Sequence, residues 1–189
     1  MTTALVAIGA NLPAGTMPPA ISVVSALDML ERRAGATLTR SQLWRTPAFP
    51  PGAGPDFVNA AAALDWTGPA EALLDLLHDV ETAHGRKRTS RWAARVMDLD
   101  LIALGDAVRP DAATWRRWEA LPPDAAATAT PDQLILPHPR LAERGFVLAP
   151  LADVAPDWRH PVTGLSVAAM LDALPPEAMD GVAPLSAGG

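Results

Sequence analysis

From residue 96 to 102 the chain reads Val-Met-Asp-Leu-Asp-Leu-Ile, with two acids at alternate positions in an otherwise apolar run. Alternation of this kind suits a strand. On a strand Asp98 and Asp100 project from one face, about 6–7 Å apart at Cα, while Met97, Leu99 and Leu101 turn to the other. The chain must therefore build a sheet whose one face packs leucines and whose other face leaves room for two carboxylates. Residues 4–8 form a second apolar run, closed by Gly9-Ala10-Asn11, which reads as a buried strand ending in a turn. After Pro18, Val23, Leu27, Leu30 and Ala34 fall at helical spacing and Gly35 stops the pattern. Residues 37–44 alternate as a strand, 46–56 form a loop dense in Pro and Gly, and 57–66 make a further strand, although Ala60 to Ala63 fits a helix equally well. A second helix lies within 67–85, punctuated by Pro69 and Glu71 at its start and Gly85 beyond its end.

The element order is thus β-α-β-β-α-β, and the expected fold class is α+β, a ferredoxin-like antiparallel sheet with helices packed on it and a C-terminal extension. One domain over residues 1–174 is expected. Residues 106–131 read as an insert with a short helix around Trp115 and Trp118, and two helical stretches follow within 141–154 and 166–174. The Gly/Pro/Ala-rich end from Pro175 is expected to fray as a flexible tail.

Composition narrows the functions open to such a domain. The 189 residues contain no Cys, which excludes thiolate nucleophiles, disulfides, Cys-ligated zinc and iron-sulfur clusters. A formal charge of -6 argues against a broad footprint on duplex nucleic acid. No apolar stretch reaches the length of a membrane span and the first residues lack a basic signal region, so a cytoplasmic, membrane-free protein is expected. There is no P-loop, no nucleophile elbow, and no pair of His at metal-binding spacing. His78 and His84 are expected on a helix surface or in its last turn.

Five of the fifteen basic residues fall within 85–95, directly before the two acids. Either half alone has an ordinary explanation: a solvated basic loop, or a solvated sheet face. Set side by side they fit a polyphosphate held by guanidinium forks and bridged to carboxylates by a hard cation. A loop of this composition can also close over a substrate and exclude water. Two other functions fit these residues, a different Mg²⁺-dependent nucleotide phosphotransferase and an RNA-binding ferredoxin-like module using the basic loop.

Four ordered blocks carry a resemblance: Ala7-Ile8-Gly9-Ala10-Asn11-Leu12; Arg45-Thr46-Pro47 through Pro55-Asp56-Phe57-Val58-Asn59-Ala60; Gly85-Arg86 through Arg91-Trp92-Ala93-Ala94-Arg95-Val96-Met97-Asp98-Leu99-Asp100; and Leu136-Pro137-His138 through Arg144-Gly145-Phe146. Together they resemble the 6-hydroxymethyl-7,8-dihydropterin pyrophosphokinases of folate biosynthesis. The resemblance implies transfer of the β,γ-pyrophosphoryl group of ATP to the pterin hydroxymethyl oxygen. It implies two Mg²⁺ ions on Asp98 and Asp100, stabilisation of the transferring group by Arg86 and Arg95, and ATP contacts from Glu81, Arg88, Trp92, His138 and Arg144. It further implies that Phe57 and Phe146 stack on the pterin while Asn59 and the segment around Thr46, Pro47 and Phe49 read its polar edge. A monomer acting on two small molecules, without nucleic acid, is expected. The chain departs from the family pattern in Gly-Ala-Asn at 9–11, in Ala93-Ala94, in Pro139, and in Gln133 and Ile135.

Overall fold

A computed structural model describes residues 1–48, 54–85 and 96–185. Its elements in chain order are β1 (Thr2–Ala10), α1 (Pro19–Ala34), β2 (Leu38–Arg40), β3 (Trp44–Thr46), β4 (Phe57–Trp66), α2 (Ala70–Ala83), β5 (Asp98–Leu104), α3 (Ala112–Glu119), α4 (Pro123–Thr128), α5 (Gly145–Val154), α6 (Val167–Asp172) and β6 (Ala183–Pro184). The sheet is antiparallel in the order β5-β1-β4-β3-β6, with β2 also pairing β4.

The α+β class and the antiparallel sheet with helices are as expected from the sequence. Three details differ. The single strand expected over 37–44 is two short strands, β2 and β3, that pair successive stretches of β4. Counted as one interrupted strand, they give the strand order of a split βαβ sandwich. The two helices of the β-α-β-β-α-β unit share one face, and the C-terminal helices α5 and α6 cover the other, a second layer that the element order does not show. Residues from Pro175, expected to fray, carry a 3-10 turn over Pro176–Met179 and then β6, which adds to β3.

Two-sided cover follows from the continuous apolar reading of β1. Val6, Ile8 and Ala10 face α1 and α2, whose Val23, Leu27, Leu30, Leu73, Leu77 and Val80 complete the first core. Leu5 and Ala7 face the other way, onto Leu148 and Leu151 of α5 and Met170 of α6. A strand buried on both faces cannot alternate, so its run of apolar residues is the sequence trace of three layers. The alanines of β4 are explained in the same way. Ala60 and Ala62 belong to the first core and Ala61 to the second. Their local helix preference loses to sheet pairing with β1, and their small side chains let helices approach from both sides.

α1 ends where Gly35 takes a left-handed conformation (φ 62°) and returns its N–H to Glu31. His84, placed by sequence on the helix surface or in the last turn, caps α2 and is buried: its Nδ1 donates to the Val80 carbonyl at 2.9 Å and Nε2 accepts from Ser25 Oγ at 3.2 Å. Among the described residues no helix is long and apolar enough to cross a membrane.

Candidate active site

The alternation of residues 96–102 is realised as read. Met97, Leu99 and Leu101 enter the first core, so Asp98 and Asp100 lie on the opposite face, the one covered by α5. Because β5 begins at Asp98, both acids sit at the end of the sheet and stay half-buried instead of being sealed under α5. The register then fixes their neighbours. Asp98 lies opposite Gly9 on β1, and Gly9 lies opposite Asn59 on β4. Asp98, Gly9 and Asn59 therefore form one row across three strands, with strand spacings of about 4.8 Å.

Gly9 is the gap in that row. A Cβ at this position would lie 2.5 Å from Asn59 Oδ1, closer than any side chain tolerates. Asn59 is itself held, its Nδ2 donating to Thr46 Oγ1 at 2.8 Å in a buried contact, and Thr46 pairs with Phe57 across β3 and β4. Asn11, two residues beyond Gly9, donates from Nδ2 to the Pro55 carbonyl at 3.3 Å. Its Oδ1 finds no hydrogen-bond donor among the described residues, although the side chain is only 6% exposed. The sequence pattern marks Gly9-Ala10-Asn11 as a turn, whereas Gly9 and Ala10 end β1 and both Gly9 and Asn11 stand at the candidate site. Only the cross-strand register, in which Gly9 lies opposite Asp98 and Asn59, puts Gly9 in the site.

The opposite wall comes from the start of α5. Phe146 is 40% exposed, which sets it apart from a core phenylalanine, and Phe57 is half-buried. The Arg144 guanidinium stands 5.8 Å from the Phe146 ring centroid and 3.8 Å from Asp100 Oδ2. One arginine thus links the aromatic and acidic parts of the site.

Glu81 is 1% exposed near the end of α2, and its Oε1 accepts from the Leu99 N–H at 2.8 Å. That N–H lies between the two acids, so the carboxylate braces the strand that carries them.

His138 is held by its backbone N–H, which donates to the Ile102 carbonyl at 2.8 Å, and by Nδ1, which accepts from the Arg140 N–H at 3.1 Å. Burial, with a further contribution from the Arg144 charge, lowers its pKa to about 3. The ring is neutral at pH 7, and with Nδ1 accepting, Nε2 carries the proton and is a donor. Ile102 is the extra residue where the β1–β5 register shifts between Leu5 and Val6, a bulge that re-aims the strand beside the site.

Of the residues anticipated from sequence, Thr46, Phe57, Asn59, Asp98, Asp100, His138, Arg144 and Phe146 gather around this end of the sheet. Pro47 follows Thr46 and packs where a Cβ on Gly181 would meet its ring. Phe49, Arg86, Arg88, Trp92 and Arg95 lie outside the described residues.

His160, beyond α5, is 2% exposed and packs edge-on against Trp115 and Trp158, with ring centroids 4.7 and 5.8 Å away. Burial lowers its pKa to about 4 from an ordinary 6.5. The unfolded chain gains this proton as pH falls through 6.5 and the folded protein does not until about 4. The resulting stability is present above the higher value and is lost between the two. We expect urea unfolding to show wild type losing about 1–2 kcal/mol more than His160→Asn between pH 7 and 4. Parallel curves for the two proteins would contradict this.

Residues 5–156 match the family described as 7,8-dihydro-6-hydroxymethylpterin-pyrophosphokinase. A 2-amino-4-hydroxy-6-hydroxymethyldihydropteridine pyrophosphokinase of Pseudomonas aeruginosa is 35% identical over 176 residues, 93% of each chain. One of Synechocystis is 32% identical over 182 residues, 96% of this chain and 80% of the other. In fold, the protein is similar to the HPPK-DHPS of Plasmodium falciparum, with a TM-score of 0.60 at 12% identity. That alignment covers 90% of this chain, which spans 44% of the longer Plasmodium chain. With the match running from β1 through α5 and relatives aligned over nearly the whole length, the chain belongs to the 7,8-dihydro-6-hydroxymethylpterin-pyrophosphokinase family.

Proposed function

We infer that the row Asp98, Gly9, Asn59 joins two half-sites of a pyrophosphokinase: a phosphate end at the acids and a pterin end at the amide. The protein transfers a pyrophosphoryl group from ATP to 6-hydroxymethyl-7,8-dihydropterin in folate biosynthesis. The single observation that carries the residue assignment is that row, because it sets the two ends two strand spacings apart with nothing but a glycine between them.

At the pterin end, Asn59 is anchored by Thr46 and keeps hydrogen-bonding capacity for a flat amide edge. Phe146 and Phe57 supply the aromatic faces between which a bicyclic ring stacks, and the exposure of Phe146 supports that role. At the phosphate end, Asp98 and Asp100 fit a hard cation. Two carboxylates on one face give it oxygen ligands and leave the remaining positions for phosphate oxygens and water. When bound there, two Mg²⁺ ions would neutralise charge on the triphosphate. Arg144 and the Nε2–H of His138 donate to phosphate oxygens, and Arg86 and Arg95 stabilise the group in transfer. Glu81 contributes by holding the Leu99 N–H, and Arg88 and Trp92 close on the nucleotide.

In the reaction the pterin hydroxyl oxygen bonds to the β-phosphorus, the bond from that phosphorus to the α,β-bridging oxygen breaks, AMP leaves and the hydroxyl proton is released. Orientation of the hydroxyl toward the β-phosphorus supplies much of the rate. The enzyme acts in this reading as a cytoplasmic monomer. Incubation with ATP, Mg²⁺ and hydroxymethyldihydropterin is expected to yield AMP and the pterin diphosphate in equal amounts. ADP or free pyrophosphate as the main product would overturn the assignment.

A further inference from the structure

The insert between β5 and His138 contributes one deeply buried side chain. Trp115 is 4% exposed, whereas its α3 neighbours Arg116 and Arg117 are exposed to solvent. An anchor of pure grease would need only the ring. This indole also spends its N–H, donating from Nε1 to the Pro137 carbonyl at 2.8 Å in a buried contact. Pro137 immediately precedes His138.

The loop carrying His138 is consequently gripped from two sides. On the sheet side, the His138 N–H donates to Ile102 at the β-bulge, and Arg109 and Leu136 exchange two backbone hydrogen bonds of 2.8 and 3.2 Å. On the outer side the indole N–H fixes the one carbonyl between Leu136 and His138. Behind it stands His160, held rigid because its Nδ1 accepts from the Val162 N–H at 3.2 Å. The imidazole edge against the indole (centroids 4.7 Å, interplanar angle 60°) limits the tilt of Trp115. The start of the insert is pinned as well. Arg109 ion-pairs with Glu71 of α2, and Asp111 caps α3 through the Thr114 N–H at 2.9 Å.

We propose that Trp115 is a positioning residue for ATP: through the Pro137 carbonyl it sets the orientation in which His138 presents Nε2–H to the triphosphate. This rests on the reading of His138 as a phosphate donor. The indole touches neither substrate and acts only through the loop. Losing the N–H leaves a buried carbonyl without its donor and lets the loop tilt. The cost falls on nucleotide affinity, because the pterin end is built from β3, β4 and α5.

Steady-state kinetics of Trp115→Phe, His138→Ala and the double variant test this. Trp115→Phe keeps an aromatic ring and removes the donor. It is expected to raise the KM for ATP about fivefold, the weight of one hydrogen bond, with the pterin KM within twofold of wild type. In the His138→Ala background the same change is expected to add less than twofold, since the group it positions is gone. An isosteric benzothienylalanine at 115, with sulfur replacing N–H, preserves shape and should reproduce the ATP effect even if Trp115→Phe folds poorly. If His138→Ala leaves the KM for ATP unchanged, the phosphate-donor reading fails and the proposal falls with it. If His138→Ala weakens ATP while the benzothienyl variant does not, or the two costs multiply in the double variant, His138 keeps its role and Trp115 is structural only.

Discussion

Asp98→Ala is expected to lower kcat by about a thousandfold or more while leaving the far-UV spectrum and the thermal unfolding midpoint close to wild type. The two halves of this expectation have separate causes. Asp98 is the first residue of β5, half-buried and on the open end of the α5-facing side, so removing its carboxylate creates no core cavity. The leucines on either side of Asp100, which do hold the strand, point into the first core. The chemical loss is large because one of two paired acids is removed from beside a triphosphate whose charge must be offset during transfer. Isothermal titration with a nonhydrolysable ATP analogue should show the Mg²⁺-dependent part of nucleotide binding much reduced. A variant retaining a tenth or more of wild-type turnover would remove Asp98 from the metal site.

Gly9→Ala is expected to do its damage at the other end of the row, where the pterin binds. The added methyl lies 2.5 Å from Asn59 Oδ1, and β1 cannot retreat. It is paired on one edge with β4 and on the other with β5, and packed by helices on both faces. The softer partner is the Asn59 side chain, which must rotate and give up its hydrogen bond to Thr46 Oγ1. We expect the KM for hydroxymethyldihydropterin to rise about thirtyfold or more, the scale of a misplaced edge-reading group. Stability should fall by about 1–3 kcal/mol from local overpacking. A pterin KM within threefold of wild type would show that Asn59 does not read the pterin edge.

Asn59→Ala separates the two effects of that change. It removes the clash together with the amide, so Gly9→Ala combined with Asn59→Ala is expected to recover stability without recovering pterin affinity. Recovery of both would place pterin recognition elsewhere in the segment.

Much of this architecture is legible in the chain. The alternation of 96–102 determines which face the acids take, and the unbroken apolar run of β1 determines that its strand is covered twice. Helix boundaries follow from local punctuation at Pro18, Gly35 and Pro69 because capping and proline constraints act within a few residues. Other features could not be read because their causes are distant in sequence. The alanines of β4 prefer helix in isolation and become a strand only between β1 and the β2–β3 pair. Residues 176–184, rich in Pro, Ala and Gly, take their places only where they pack against Gly145 and pair with β3.

The site divides along the same line. Residue types suffice to expect carboxylates for a cation, guanidinium groups for phosphate and aromatic rings for a flat ligand, since each is a property of a side chain and its immediate spacing. Why Gly9 must lack a side chain, why Glu81 is buried against the Leu99 N–H, and why a tryptophan in an insert reaches the carbonyl before His138 depend on cross-strand register and helix packing. Those contacts join residues 18 to 50 positions apart. Such distances are bridged only when the sheet closes and the helices settle on its two faces, because burial of the whole core, rather than any local preference, selects which remote groups meet.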